Sequence, residues 1–376
     1  MPVRCGPHVT ARREAPLQRF RVAIIGTGFG RTVQSVGFGR HGGFEITAIA
    51  GRDPAKTGRV ARELGIPRAV ADWRMLFDAE PPELVSIVTP VDLHHPMMLR
   101  ALEAGCHVLC EKPSALHRFQ TMEMRDAARA AGRVAGINHE FRFLPARRHA
   151  VAMVQAGAIG RPRRGEILGR YPIWPTAAAR GMTWLSDHGR GGGILGALGS
   201  HHTDCLRLFF GEPLTVLASV RNDQPRRGPT ADDPRAALAT ADDAATVQYT
   251  FAGGATALID LNATATYRWE RFEIVGEEAT LRWDETGYAL WRIIPGREPE
   301  TVTIPAALAL ERREGDPALV APFGVLVERL HRAMRGETGM SPDFDDAVAV
   351  QCALDAARDS SAARSVVTVD AAPANG

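Results

Sequence analysis

The chain has 376 residues, room for two or three domains, with 45% hydrophobic and 23% charged residues. That balance excludes disorder, collagen and coiled coil as the main state. The 45 basic and 43 acidic residues leave a net charge of +2, and no run of about 18 apolar residues occurs, so we expect neither a nucleic-acid nor a membrane partner.

Cys5, Cys106, Cys110, Cys205 and Cys352 form no C-x-x-C pair and cannot all pair with one another, which points to a reducing, cytoplasmic protein. The first 19 residues are polar, lack the apolar core of a signal peptide and read as a disordered tail. Lysine occurs only at Lys56 and Lys112, and arginine fills every other basic position. Lys56 lies in a polar helix and reads as solvated.

Phe20 to Ile25 is a short apolar run, the pattern of a buried parallel strand, and it enters Gly26-Thr27-Gly28-Phe29-Gly30-Arg31. A helical stretch follows, then a strand from Phe44 to Ala50. Asp53 and Pro54 open a helix to Leu64. Strands at Leu84 to Thr89, Cys106 to Cys110 and Arg133 to Asn138 alternate with helices at Pro96 to Ala104 and Ser114 to Ala131. This alternation predicts an α/β fold that begins with a doubly wound parallel sheet over 20–142.

Beyond that the pattern changes. A strand at Arg163 to Arg170 precedes an irregular stretch with Tyr171, Trp174 and Trp184. Gly191-Gly192-Gly193 opens a helix to Phe210. Strands then follow one another at 214–220, 245–251, 255–264, 271–275, 279–283 and 288–294, and two helices close the chain at 318–334 and 343–358. Residues 143–370 therefore predict an α+β domain with a large, mostly antiparallel open sheet. The Pro- and Arg-rich segment 221–241 reads as a surface loop.

The glycine turn stands where a strand meets a helix, the context of a dinucleotide site. Gly26 allows the turn, Gly28 lets a pyrophosphate approach, and the helix start offers N–H donors. Arg31 replaces the third glycine, Gly30 restores the space one residue earlier, and Arg31 is a candidate phosphate contact. The carboxylate that would bind an adenosine ribose is expected about 20 residues on. Gly51 stands there, followed by Arg52, which favours NADP over NAD.

Ile87-Val88-Thr89-Pro90-Val91-Asp92-Leu93-His94 and Ala104-Gly105-Cys106-His107-Val108-Leu109-Cys110-Glu111-Lys112-Pro113 strongly resemble the Gfo/Idh/MocA family, the relatives of glucose-fructose oxidoreductase and inositol dehydrogenase. The likeness continues through Asn138, Arg142-Phe143-Leu144-Pro145, Gly191-Gly192-Gly193 to His201, Asp204, Ala241-Asp242-Asp243 and Val275-Gly276-Glu277-Glu278. It implies an N-terminal Rossmann domain, a C-terminal α+β domain, and hydride transfer at a hydroxyl or ketone carbon of a sugar, deoxysugar or cyclitol. It also implies a homodimer or homotetramer built through the C-terminal sheet. Thr89, Pro90, His94, Glu111, Lys112 and Arg142 would join the glycine turn and Arg52 around the cofactor.

Lys112 is the leading catalytic candidate, since oxidising a carbinol requires its hydroxyl proton to leave. An amine partly withdrawn from water beside a cationic nicotinamide can take that proton, which arginine cannot. His201 matches the family's active-site histidine. Many members carry an aspartate four residues earlier, and this chain has Ala197. Three routes follow: Lys112 acting with His201 as its partner, His201 as the acid/base, or an outside group such as Tyr171, Asp187 or His188. Asp204 shares the His201 helix face and either orients the ring and contacts substrate or caps structure. His202 points elsewhere, toward packing or surface.

Tyr171 and Trp174 offer aromatic faces for a sugar ring, and Arg170, Arg180 and Arg190 could meet an anionic substituent. Core packing and solvated charge are the plainer alternatives. The histidine spacing does not predict a metal. Two rival functions remain, an enzyme whose tightly bound NAD oxidises a sugar transiently for elimination or hydrolysis, and a non-catalytic dinucleotide sensor.

Overall fold

Six short apolar segments stack side by side to open the chain. They are β1 (Phe20–Ile25), β2 (Phe44–Ala50), β3 (Arg68–Val70), β4 (Leu84–Ile87), β5 (His107–Cys110) and β6 (Ala135–Ile137). The computed structural model describes residues 17–78, 80–176, 178–179, 181–228, 237–284 and 286–370, so most of the expected tail, Arg180 and part of the 221–241 loop lie outside it. The sheet is parallel, in the order β3-β2-β1-β4-β5-β6. Strand order therefore reverses between β1 and β4, and a crevice opens at their carboxyl ends.

Helices α1 (Ser35–Arg40), α2 (Pro54–Leu64), α3 (His94–Glu103) and α4 (Arg118–Ala130) connect the strands. Asp53 caps α2 by accepting from the Lys56 N–H at 3.0 Å, and Gly65 ends it in a left-handed conformation. The sequence did not suggest β3, because three residues are too few to show a period.

The second sheet has nine strands, including β7 (Pro162–Pro172), β8 (Pro213–Arg221), β11 (Ala244–Phe251), β12 (Thr256–Asn262), β13 (Thr264–Gly276), β14 (Thr280–Trp283), β15 (Leu290–Ile293), β16 (Glu300–Thr301) and β17 (Val367–Thr368). A two-residue ribbon, β9 (Arg226–Arg227) with β10 (Ala237–Leu238), stands apart. The order is β16-β15-β14-β13-β7-β12-β11-β8-β17, and every pair is antiparallel except β12 with β7. The strand expected over 255–264 is broken at Ala263. Its N–H turns to Asp243 and its carbonyl accepts from Ile173 and Trp174. The piece expected over 271–275 is the end of the long β13.

Helices α5 (Pro145–Gln155), α6 (Ser200–Phe210) and α8 (Phe344–Ala363) pack on this sheet in one apolar core that includes Ala150, Cys205, Phe209, Leu281, Ala353 and Ala357. Helix α7 (Val320–Met334) does not join them. Its Phe323, Leu326, Val327 and Leu330 are buried with Phe20, Phe38 and Phe44 of the first sheet's core. Phe38 meets Phe323 edge to face at 5.5 Å. A Cβ on Gly37 would lie 2.4 Å from the Phe323 ring, so a glycine is what lets the two helices touch. Each such ring contributes about 1.5–3 kcal/mol by burial. A segment that follows all but the last strand of the second sheet in the chain thus completes the first.

Candidate active site

The glycine turn sits at the reversal point, at the carboxyl end of β1. Gly26 has φ +134°, and a Cβ there would lie 2.2 Å from the Val88 carbonyl oxygen, so only glycine lets the turn pass β4. At Gly28 a Cβ would meet nothing within 4 Å, so the outer side of the turn is open. The chain continues as a π-helical turn over Gly30–Gln34 before α1. This open glycine cradle at a helix start fits the pyrophosphate of a dinucleotide, which when bound supplies a hydride acceptor or donor. Arg31 is turned away to Glu63, at 2.8 Å on the surface. Arg52 is exposed beside Gly51, at the end of β2.

Strand β5 runs directly into Glu111 and Lys112. Glu111 is buried, and its Oε1 accepts from Gln34 Nε2 at 2.8 Å and Asn138 Nδ2 at 2.6 Å. Ser86 donates in turn to Gln34 Oε1, giving a polar chain that links β4, the glycine-loop helix, β5 and the end of β6. Burial pushes the Glu111 carboxyl up, against the Lys112 charge and the two amide donors. Lys112 itself is half-buried, and its Nζ donates to the Ala197 carbonyl at 2.7 Å.

His94 is buried behind this turn. Its Nδ1 lies 3.1 Å from the Pro113 carbonyl and its Nε2 lies 2.9 Å from the Thr89 carbonyl. It ties the end of β4 to the segment after Lys112, and burial lowers its basicity. Thr89 faces Met97, and Pro90 begins the tight turn Val91–Leu93.

The opposite wall begins at the triple glycine. Asp242 builds this start by accepting from Leu195 N–H at 2.7 Å, while its own carbonyl takes the Ile194 N–H. A π-helical turn over Leu195–Gly199 then leads into α6 and brings Ala197 and His201 toward Lys112. His201 is buried and stacks on Phe141, with ring centroids 3.8 Å apart and planes 6° apart. His139 meets it edge-on at 5.5 Å. Burial drives the His201 ring well toward the neutral form, and His139 falls to about 4 for the same reason. His202 is fully buried beside Phe272, the packing alternative.

Several expected contacts go elsewhere. Arg142 does not point to a cofactor. It is a clamp, with Nε 2.6 Å from Asp204 and Nη1 3.1 Å from Asp346 and 3.3 Å from Ser341. Asp204 is therefore engaged by Arg142 rather than by substrate, and Arg207 closes the cluster at 3.6 Å. Tyr171 and Trp174 are not sugar platforms, for both lie in the second core at 4% and 0% exposure. The Arg227 guanidinium covers the Trp174 ring at 3.7 Å, and Arg227 pairs with Asp243. Burial also pushes the Tyr171 phenol up. Asp187 caps the turn at His188–Arg190.

Glu140, which sequence reasoning passed over, lies in the seam. It is 1% exposed, and its Oε2 lies 4.0 Å from His201 Nε2. Burial first, then the Glu111 charge, push its carboxyl up to about 8. A carboxyl three residues past the end of the last strand of a parallel sheet was the available signal, since ligands gather at that edge. Among the described residues, no group of three His, Cys, Asp or Glu clusters as a metal site, and no helix is long and apolar enough to cross a membrane.

Chemistry at a seam between a dinucleotide fold and the start of a second domain's helix is that of a two-domain oxidoreductase. Residues 20–139 match the oxidoreductase family with an NAD-binding Rossmann fold, and residues 148–282 match the GFO/IDH/MocA C-terminal domain. The chain belongs to the Gfo/Idh/MocA family. An uncharacterised oxidoreductase of Synechocystis sp. is 28% identical over 346 residues, spanning 89% of this chain and 92% of that one. Levoglucosan dehydrogenase of Pseudarthrobacter phenanthrenivorans is 29% identical over 290 residues, spanning 70% and 73%. A solved levoglucosan dehydrogenase in complex with NADH superposes with a TM-score of 0.87 over 94% of this chain and 100% of that chain, at 24% identity, a likeness of fold.

Proposed function

We propose that this oxidoreductase transfers hydride between a nicotinamide dinucleotide and a hydroxyl or ketone carbon of a sugar, deoxysugar or cyclitol. The observation that carries this is the 2.7 Å hydrogen bond from Lys112 to Ala197, which holds an amine at the seam on the turn leading into the helix that carries His201. Lys112 takes the hydroxyl proton during oxidation and returns it during reduction, with His201 as its hydrogen-bonding partner at the substrate. Gly26, Thr27, Gly28, Phe29 and Gly30 hold the dinucleotide. Gly51 and Arg52 favour NADP over NAD, because a guanidinium suits a 2′-phosphate where a carboxylate would repel it. The levoglucosan, D-apiose and D-glucoside dehydrogenases among the relatives support a carbohydrate substrate.

The enzyme works in a reducing cytoplasm, consistent with free, buried Cys106, Cys110, Cys205 and Cys352. It assembles as a homodimer or homotetramer through the second sheet, whose strands expose Leu217, Tyr267 and Trp269. The test is titration calorimetry of cofactor-free protein with NADPH and NADH, followed by a panel of polyols and keto-sugars with the tighter dinucleotide. Turnover of a panel member with NADPH preferred is the expected result. Tight dinucleotide binding with no turnover would replace this reading with transient oxidation or sensing.

A further inference from the structure

The seam contains one carboxyl that nothing above employs. Glu140 follows β6 on the turn Glu140–Phe143 and points into the protein. Its Oε2 is buried without a hydrogen-bond partner, and so is His201 Nδ1. A buried polar atom left unpaired costs about 1–3 kcal/mol, so such atoms at a reaction site call for an explanation. The gap of 4.0 Å to His201 Nε2 is longer than a hydrogen bond and is closed by a small rotation or a bridging water. Phe141, the next residue, stacks on the His201 ring, so one short turn both positions the imidazole and places a carboxyl at its edge. Position 197, one helical turn before His201, offers only a carbonyl, and Lys112 already occupies it.

We propose that Glu140 is the carboxyl partner of His201, a positioning residue that balances the charge on the imidazole when the ring receives the substrate's proton by way of Lys112. The inference rests on the dehydrogenase reading above and deepens it. In oxidation the O–H bond of the carbinol breaks as Lys112 takes the proton, and an N–H bond forms on the His201 ring as Lys112 passes that proton on. The C–H electron pair leaves as hydride to the nicotinamide, so the alcohol is oxidised by two electrons and the dinucleotide reduced by two. A buried imidazolium alone is costly, and a carboxylate at its edge offsets that cost. In reduction the same proton returns to the alkoxide. The charged and titratable groups facing the pair are Glu111 and Lys112 after β5, His139 on the same turn, Arg147 on α5 and His202 on α6. Arg147 is held between the Phe141 and Phe272 rings.

With the site empty, Glu140 keeps its proton beyond the ordinary carboxylate range, in keeping with its burial. The unfolded chain releases that proton near pH 4.5, so folding stability falls as pH rises from there to the folded value and is level above it. Glu140→Gln removes this dependence. Thermal unfolding of the full chain without ligand, from about pH 5 to about pH 9, should show the Gln variant gaining on the wild type up to about pH 8 and then running parallel. Parallel curves throughout would overturn the proposal.

The second measurement uses the polyol found by the panel. Oxidation by the wild type should climb with pH through the Glu140 ionisation. Glu140→Gln should lose that limb and about 10²-fold or more in kcat, with dinucleotide affinity kept, and Glu140→Asp should restore the limb. A uniform loss with the limb in place would mean a purely structural role and refute the assignment. If no polyol is turned over, the dehydrogenase reading fails, while the ligand-free unfolding curves still decide whether Glu140 holds the proton.

Discussion

Lys112 and Ala197 meet across the seam, amine to main-chain carbonyl, at 2.7 Å. The carbonyl accepts from the amine and so fixes its direction at the seam. Arginine at this position could donate to the same carbonyl but could not act as a proton acceptor, because it stays charged. Lys112→Arg should bind dinucleotide as the wild type does in calorimetry and lose about 10²–10⁴-fold in kcat. An arginine variant with full turnover would remove Lys112 from the chemistry.

Arg52 is the residue that separates the two cofactors. Arg52→Ala should weaken NADPH about tenfold or more and leave NADH nearly unchanged, since only the former carries a phosphate for a guanidinium to hold. Equal losses in parallel calorimetric titrations would defeat the NADP assignment.

The Arg142 clamp makes an acid-stability prediction. Burial raises the Asp346 carboxyl, but the Arg142 and Arg207 charges outweigh burial and hold it at about 2. A carboxylate depressed on folding stabilises above its unfolded value, and that contribution is lost as pH falls from about 4 toward about 2. Asp346→Asn should be less stable at neutral pH by on the order of 3 kcal/mol and should lose part of the wild-type acid limb in denaturant unfolding. An unchanged limb would show that the clamp is not ionically linked to folding.

Trp174 is assigned to packing. Trp174→Phe gives up ring area beneath the Arg227 guanidinium and should cost about 1–2 kcal/mol in unfolding, with KM for the polyol unchanged. A large rise in KM at constant stability would return the residue to the substrate site.

What could be read from the sequence was local. The first strand, the glycine turn, the Asp53 cap and the lysine after β5 each declare themselves within a few residues, because each depends on a period, a turn or a single rare side chain. The Glu140–His201 approach joins a turn and a helix far apart in the chain, and no spacing rule brings them together. Trp174 in an arginine-rich stretch looks alike whether it lies under a sugar or under Arg227. The same holds for Arg142 and Asp204, whose charges suit a ligand as well as each other. Helix α7 showed an apolar face, but periodicity says that a face is buried and not which core receives it.

That last placement bears on synthesis. The first sheet's six strands are complete by Ile137, yet Phe38 and Phe44 await Phe323 and Leu330, and Gln18 awaits His331, whose Nε2 lies 2.8 Å from its carbonyl. On the ribosome the nucleotide-binding half therefore emerges early with an uncovered flank. It cannot close that flank until Val320–Met334 has been made. A chain that ended between Ile137 and Val320 would carry every dinucleotide strand and an open apolar side, a target for chaperones or proteases rather than half an enzyme.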